Sequence, residues 1–312
     1  MRTLVLGAGA TGGYYGARLL EAGEDVTFLV RSGRAKKLKV NGLNVKSKFG
    51  DFSSKAVNLV EKVDGEYDLI ILTCKAWDLE PSLEAVAPAV GNNTAILPLL
   101  NGMAHLQKLQ DRFGSEHVLG GLCIISSTLA DDGTILHLND THAIKYGELS
   151  KEKSERIAKI DAAFKKANCG SKLSEDISKD MWEKWVMIAS LAAITTLMRA
   201  TVGEVARAPG GRQIARAIFE ECLGVAKKHR TDISDEFIKS ASERLVDPES
   251  TLAASMLRDL QSGNRIEADQ IIGDLIEAGR KQQVDTANLE IVYCNLKVYE
   301  AAQVKETVKA AV

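Results

Sequence analysis

The sequence predicts an α/β fold in which a doubly wound parallel sheet is followed by an all-helical second half. Three observations lead to this prediction. The chain opens with a short apolar run, a glycine-rich turn and a helical segment. Apolar runs too short for helices then alternate with helical patterns through the first half. After residue 173 only helical patterns remain.

The opening segment carries the most specific motif. Residues 3–6 are apolar and short, as expected of a buried parallel strand. Gly7, Gly9 and Gly12 follow with G-x-G-x-x-G spacing, and a helix is predicted over residues 14–22. In dinucleotide-binding proteins these glycines permit the tight turn, the close approach of a pyrophosphate and close helix–strand packing. A ligand-free turn can use the same glycines, but the complete strand–turn–helix context favours dinucleotide binding.

The second predicted strand, residues 25–30, indicates which dinucleotide is bound. It is followed by Arg31, where NAD sites usually carry an Asp or Glu that accepts from the ribose 2′-OH. A carboxylate would repel a 2′-phosphate, whereas a guanidinium hydrogen-bonds it. The sequence therefore favours NADP(H), with Arg31 as the 2′-phosphate ligand. Arg34, Lys36 and Lys37 are expected to form a solvated basic loop.

Composition restricts the class of protein. The 312 residues carry a formal net charge of -2 with a pI near 6.3, which argues against nucleic-acid binding. No apolar stretch approaches the ~20 residues that span a bilayer. Because a strand is predicted from residue 3, we expect no signal peptide and a cytoplasmic protein. The five scattered cysteines include no C-x-x-C pair, which predicts reduced thiols and no metal site.

The remaining elements follow in order. Strands are predicted over residues 57–60, 67–73, 94–99 and 118–128, with a hairpin pair over 135–138 and 142–146. Helices are predicted over residues 79–90, 103–113, 154–167, 175–198, 211–229, 235–244, 251–260, 266–283 and 289–300. Residues 304–312 are expected to fray. The sequence thus predicts domains of residues 1–173 and 174–312, with a ligand crevice between them.

Polar residues at strand ends and on the later helices are candidates for chemistry. Lys75 and Asn101 each follow a predicted strand, where ligands of parallel sheets bind, although either can be an ordinary loop residue. Lys184 is the only cation between residues 179 and 199 of an apolar helix; it can extend to solvent or act as a general acid. For Ser255 and Glu267, helix capping or ordinary solvation is an alternative to a functional role.

Taken together, the motifs resemble the ketopantoate reductase (2-dehydropantoate 2-reductase) family over nearly the whole chain. The matching segments are GAGATGG from Gly7, Arg31, TCKAWD around Lys75, LLNGM around Asn101, G-x-I-x-H ending at His137, W-x-K ending at Lys184, Gly203-Glu204, and S-M-L-x-D from Ser255 leading to Glu267. The resemblance implies a Rossmann domain and a helical domain related to that of 6-phosphogluconate dehydrogenases. It also implies NADPH-dependent reduction of ketopantoate to pantoate, a step towards pantothenate and coenzyme A.

The resemblance also implies roles for individual residues. Lys184 would be the general acid that protonates the ketone oxygen, and Glu267 would orient Lys184 or the substrate. Ser255 would bind the substrate carboxylate. Cofactor contacts are implied for Gly7, Gly9, Ala10, Thr11, Gly12, Arg31, Lys75 and Asn101, the last also close to the reaction centre.

The chain departs from the family pattern at four positions where asparagines are expected. They are Ile188, Ala192, Val202 and Leu252. Sites built for hydrogen bonds discriminate strongly between substrates, so these changes indicate a different, more hydrophobic keto acid or ketone.

Other readings remain open. They are a 2-hydroxy acid dehydrogenase working in either direction and a non-catalytic NADP(H) sensor, which would need neither Lys184 nor Glu267. A Rossmann methyltransferase fits poorly, because it would carry an acidic residue in place of Arg31. The apolar helices of the second half are compatible with a homodimer.

Overall fold

The computed structural model describes the backbone of residues 1–310 and the side chains of residues 1–303. The chain forms two compact units. The first comprises Met1–Leu100 and His105–Asp180, and the second comprises Asn101–Ala104 and the chain from Met181 onward. The fraying expected for residues 304–312 lies outside the residues described with side chains.

Strands and helices are numbered in chain order over the described residues. The strands are β1 (Arg2–Leu6), β2 (Asp25–Leu29), β3 (Leu43–Lys46), β4 (Phe52–Ser54), β5 (Asn58–Val60), β6 (Leu69–Leu72), β7 (Ala95–Pro98), β8 (Leu119–Leu129), β9 (Ile135–Glu148) and β10 (Ser171–Leu173). The helices are α1 (Ala10–Glu21), α2 (Ser32–Asn41), α3 (Leu79–Val86), α4 (Ala104–Phe113), α5 (Glu155–Lys166), α6 (Ile177–Met198), α7 (Val202–Arg207), α8 (Gly211–His229), α9 (Asp235–Arg244), α10 (Ser255–Gln261), α11 (Asp274–Lys281) and α12 (Ala287–Ala310).

A five-stranded parallel sheet forms the centre of the first unit. Its strand order is β5-β2-β1-β6-β7. Leu6 at the end of β1 is in register with Leu29 of β2 and Leu72 of β6, so the three strands end at one edge. The chain moves outward from β1 in one direction and then returns to add β6 and β7 on the other side. This reversal beside β1 is the switch point at which such sheets bind ligands, and the predicted doubly wound α/β fold is confirmed.

The predicted hairpin over residues 135–138 and 142–146 is wrong, because these residues belong to a single strand of a second sheet in the same unit. Residues 135–148 form one continuous strand, β9, which pairs antiparallel with β8 and parallel with β3 and β10. The polar residues 139–141 have the composition of a turn, but Asn139 Oδ1 accepts a hydrogen bond from the backbone N–H of Ser126 at 2.8 Å. The β8–β9 register shifts between Ile125 and Ser127. The asparagine side chain therefore supports the backbone where the ladder is interrupted.

The predicted basic loop after β2 is also wrong, because residues 32–41 form helix α2. Only Ala35 and Leu38 of this helix are buried, so its sequence shows little apolar periodicity. Arg34 is half-buried: its Nε donates to the carbonyl of Ala8 at 2.8 Å, and its Nη1 donates to that of Gly133 at 3.0 Å. This arginine thus ties the glycine turn to the turn before β9.

In the second unit, helices pack around a core centred on α6. Core residues of α6 include Trp185, Val186, Ala189 and Ala193, which cluster with Ile218 and other apolar residues of α8. The helix predicted over 266–283 is interrupted: a π-helical turn, Asp269–Gly273, precedes α11. Among the described residues, no helix has the length and apolarity needed to cross a membrane.

Candidate functional site

The three motif glycines occupy different environments in the turn between β1 and α1. Gly7 has φ +87°, a conformation that side chains disfavour. A Cβ on Gly12 would overlap Thr73 Oγ1 and the carbonyl oxygen of Gly7. A Cβ on Gly9 would meet no heavy atom within 4 Å. The first glycine therefore makes the turn, the third permits close packing, and the second leaves an open face against its backbone.

The N-terminus of α1 lies directly after this open face. Gly9 is its N-cap residue and supplies no side-chain hydrogen bond, and the first turn contains no acidic residue. The first backbone N–H groups of a helix lack intrahelical partners and carry a partial positive charge. Ala10 and Thr11, which open α1, add their backbone N–H groups to this end. This donor set fits the pyrophosphate of a dinucleotide.

Thr73 is a functional candidate to which the sequence motifs assigned no role. It follows β6, and its hydroxyl donates to the carbonyl of Leu6 at 2.9 Å. The same oxygen would lie 2.3 Å from a Cβ on Gly12. The threonine therefore fixes the end of β1 relative to the first turn of α1, and its signal in the sequence is a small polar residue at the end of the apolar run 67–73.

Arg31 lies at the edge of the sheet where β2 ends and forms the N-cap of α2. Its side chain is 78% exposed, and its Nη2 donates to Asp78 Oδ1 at 2.8 Å. The hydrogen bond from Arg31 to Asp78, and the attraction between the two charges, raise the pKa of the guanidinium. The structure therefore presents an accessible cation, as a 2′-phosphate ligand requires, but one already joined to a carboxylate.

Lys75 follows β6 and is the N-cap residue of a 3₁₀ turn, Ala76–Asp78. Its side chain is exposed, and its Nζ lies 5.6 Å from the centroid of the Trp77 ring. This places an ammonium group at the same edge of the sheet as the glycine turn, because β6 and β1 end in register. A cation at this position suits an anionic ligand.

In the second unit, Lys184 and Asn101 are joined directly. Lys184 Nζ donates to Asn101 Oδ1 at 3.1 Å, and both residues are half-buried. The alternative in which Lys184 extends into solvent is therefore not observed. A lysine so held has two further N–H donors to offer, and its direction is defined by the asparagine.

The segment that carries Asn101 is seated against the π-helical turn. Gly102 has φ +77°, and a Cβ there would lie 2.7 Å from the carbonyl oxygen of Gln270. One residue further, the carbonyl of Ile271 accepts from Trp185 Nε1 at 3.0 Å. Since π-helical turns often occur at functional sites, the neighbourhood of Lys184 is built from unusual backbone that close packing holds in place.

Ser255 and Glu267 lie on different elements of the second unit. Ser255 is the exposed first residue of α10. It does not cap that helix: the N-cap residue is Ala254, whose backbone N–H donates to Thr195 Oγ1 at 3.3 Å. Glu267 is half-buried two residues before the π-helical turn, and its carbonyl accepts from Ile271 N at 3.1 Å. Thus the serine hydroxyl is not used to cap α10.

The four apolar replacements differ in their surroundings. Ala192 and Val202 are buried, at 1% and 0% exposure, whereas Ile188 and Leu252 are only half-buried. The backbone N–H of Val202 donates to the carbonyl of Leu252 at 2.9 Å, which places these two residues side by side. Ile188 lies one helical turn after Lys184 on the same face of α6. Apolar side chains therefore neighbour the lysine along its helix.

The described residues offer little support for thiol or metal chemistry. Burial raises the pKa of the Cys169 and Cys222 thiols to about 12, which makes them poor nucleophiles. Across the residues that the structure describes, no group of three or more His, Cys, Asp or Glu side chains could hold a metal ion.

Comparison with known proteins gives consistent matches along the chain. The family models for ketopantoate reductase PanE/ApbA and for its C-terminal domain match residues 3–151 and 176–300. The uncharacterized oxidoreductase YkpB of Bacillus subtilis (strain 168) is 36% identical over 301 residues, covering 96% of this chain and 99% of that protein. The 2-dehydropantoate 2-reductase of Aquifex aeolicus (strain VF5) is 27% identical over 314 residues, covering 98% and 99%. Among solved structures, the 2-dehydropantoate 2-reductase from Geobacter metallireducens GS-15 superposes with a TM-score of 0.86 at 28% identity, covering 95% and 99%.

Proposed function

The chain belongs to the ketopantoate reductase PanE/ApbA family and is an oxidoreductase, and we propose that it reduces a 2-keto acid to a 2-hydroxy acid with NADPH. The nominal reaction is the reduction of 2-dehydropantoate (ketopantoate) to pantoate, as in pantothenate and coenzyme A synthesis. The observation that carries the proposal is the hydrogen bond between Lys184 and Asn101, because it holds a proton donor in a defined direction.

In this proposal, residues 1–173 bind the cofactor and residues 174–312 act on the substrate. Gly7, Gly9, Ala10, Thr11 and Gly12 hold the pyrophosphate at the start of α1. The 2′-phosphate is bound by Arg31, and Lys75 and Asn101 provide further cofactor contacts. The fit rests on the open face of Gly9, the uncapped end of α1 and the exposed guanidinium. When bound, NADPH supplies the hydride that reduces the ketone carbon.

The chain's own residues supply the proton and the orientation. Lys184 Nζ gives a proton to the ketone oxygen as negative charge develops there, which is the task of a general acid. Asn101 accepts one of the other N–H groups of that ammonium and so fixes its direction. Glu267 orients the substrate hydroxyl or Lys184, and Ser255, which does not cap α10, binds the substrate carboxylate.

Turnover of NADPH by the purified protein tests the proposal. We expect NADPH oxidation with ketopantoate or with a bulkier 2-keto acid, and Lys184→Met should lower kcat by roughly 10²–10⁴-fold while NADPH still binds. Lys179→Met, on the same helix, is the matched control and should leave kcat unchanged. An unchanged rate in Lys184→Met would remove the lysine from the mechanism. No turnover with any 2-keto acid would refute the proposed reaction.

A second candidate is reduction of a more hydrophobic keto acid or ketone. The half-buried, apolar side chains of Ile188 and Leu252 favour it, since asparagines at these positions would hydrogen-bond a hydroxylated substrate such as ketopantoate. Turnover of a bulky apolar 2-keto acid with no activity on ketopantoate would select this candidate. A non-catalytic sensor is set aside, because the family is one of oxidoreductases. Cytoplasmic location and a homodimer stay predictions.

A further inference from the structure

Arg31 and Asp78 form an ion pair at the edge of the parallel sheet, beside the point where the strand order reverses. Arg31 follows β2 and Asp78 comes shortly after β6, while β1 lies between these two strands. Leu29 and Leu72, which end the outer strands, are both in register with Leu6. The pair therefore spans the end of β1, directly beside the turn that begins at Gly7.

Both side chains are accessible to a ligand. The side chains of Arg31 and Asp78 are 78% and 32% exposed, and their 2.8 Å hydrogen bond uses one nitrogen of the guanidinium. Asp78 is the N-cap residue of α3, yet its side chain makes no capping hydrogen bond. The carboxylate is thus directed to the arginine rather than to its own helix.

We propose that Asp78 is a specificity-determining residue for the 2′ position of the dinucleotide, where its carboxylate competes with the 2′-phosphate of NADPH for Arg31. This inference rests on the proposed use of NADP(H). A 2′-phosphate brings nearly two negative charges to a cation that already has a counter-ion, whereas the uncharged 2′-OH of NADH does not compete for that cation. This competition lowers the affinity for NADPH more than the affinity for NADH.

Two cations near Arg31 are engaged elsewhere and do not offset the carboxylate. Arg34 directs its Nε and Nη1 to the carbonyls of Ala8 and Gly133. Lys37 Nζ donates to the carbonyl of Asp131 at 3.1 Å. Of these three basic residues, Arg31 is the one available to a 2′-phosphate, and the negative charge of its partner lowers the affinity for that phosphate.

Calorimetric titration of the purified protein with NADPH and with NADH tests this inference without turnover. Asp78→Asn keeps the size of the side chain and removes its charge. We expect the ratio of Kd for NADH to Kd for NADPH to rise about tenfold, equivalent to about 1.4 kcal/mol. Glu80→Gln is the matched control: Glu80 is an exposed carboxylate two residues further on that pairs with Lys108 at 2.9 Å. The control should change the ratio by less than twofold.

A second comparison separates competition for Arg31 from general repulsion. In an Arg31→Ala background, Asp78→Asn should change the ratio by less than twofold, because the contested cation is gone. Titration with 2′,5′-ADP and 5′-AMP should reproduce the pattern, since the two nucleotides differ only in the 2′-phosphate. An unchanged ratio in Asp78→Asn, or a gain that persists without Arg31, would overturn the role of Asp78 while leaving the reductase proposal intact. Binding of neither dinucleotide to the wild type would overturn both.

Discussion

Alanine substitutions at Gly9 and Gly12 should separate ligand binding from folding within one turn. At Gly12 an added Cβ overlaps Thr73 Oγ1 and the carbonyl oxygen of Gly7, and it lies 3.2 Å from Val5 Cγ1. One of these neighbours is backbone and cannot rotate away. At Gly9 the added Cβ meets no heavy atom of the protein within 4 Å, and the backbone, with φ -77° and ψ -165°, is acceptable for alanine. The same chemical change therefore acts on packing at one position and on the ligand face at the other.

The expected magnitudes follow from these contacts. Inserting a methyl group into packed surroundings costs about 1–3 kcal/mol, and the backbone overlap puts Gly12→Ala in the upper part of that range. For a chain of 312 residues, about 2 kcal/mol lowers the Tm by roughly 3 °C. Gly9→Ala should lower the Tm by about 1 °C, since replacing an N-cap glycine by alanine costs about 0.5–1 kcal/mol. If a pyrophosphate approaches the backbone at Gly9, the methyl group should weaken NADPH binding by about tenfold or more.

Two measurements on both variants test these expectations. Thermal unfolding gives the Tm, and calorimetric titration gives the Kd for NADPH. We expect a larger loss of stability in Gly12→Ala than in Gly9→Ala, and a loss of NADPH binding in the folded Gly9→Ala protein. A stable Gly9→Ala protein with wild-type Kd would refute the assignment of this face to the pyrophosphate. A Gly12→Ala protein with wild-type Tm would refute the packing argument.

Three further substitutions probe stability and specificity. Burial and the nearby charges of Arg18 and His137 lower the pKa of His142, so the unfolded chain takes up a proton first and stability should be lost as the pH falls below about 6.5. Urea midpoints at about pH 7.5 and about pH 5.5 should therefore differ less in His142→Gln than in the wild type, and an equal difference would contradict this. Burial alone would raise the pKa of Glu148, but hydrogen bonds from Arg156 and Ser154 lower it. Glu148→Gln should therefore reduce the free energy of unfolding, measured by urea titration, by about 3 kcal/mol. The exposed control Glu80→Gln should reduce it by less than about 0.5 kcal/mol. Ile188→Asn should raise kcat/KM for ketopantoate relative to a bulky apolar 2-keto acid by about tenfold, and an unchanged ratio would exclude Ile188 from substrate selection.

The parallel sheet was predictable because its strands are buried on both sides. Residues 3–6, 25–30, 67–73 and 94–99 are continuous apolar runs bounded by turn residues, and β1, β2, β6 and β7 lie within or close to these ranges. The roles of the glycines were also predictable, because each depends on local geometry: φ at Gly7 and close packing at Gly12 follow from the spacing of the motif. The family, the α/β fold and the helical second half are confirmed.

Features that depend on tertiary contacts were not predictable. Helix α2 was not predicted because its basic sequence has only two buried residues. Strand β9 was predicted as two strands because residues 139–141 have the composition of a turn. The pairing of Lys184 with Asn101 joins residues 83 positions apart, so no local pattern contains it. Asp78 was overlooked for the same reason, since its partner Arg31 is 47 positions away.

Arg31 is ion-paired and Lys184 is hydrogen-bonded, and in each case the neighbouring side chain determines what the cation can do. Each cation was identified from sequence as a functional candidate, and each has a defined partner in the structure. The neutral amide of Asn101 orients the ammonium of Lys184 without reducing its charge, which suits a group that must donate a proton. The carboxylate of Asp78 instead neutralises the charge of Arg31, which opposes the binding of a second anion. In the proposed reaction, the same kind of contact therefore supports proton donation by Lys184 and limits the selectivity of Arg31 for NADPH.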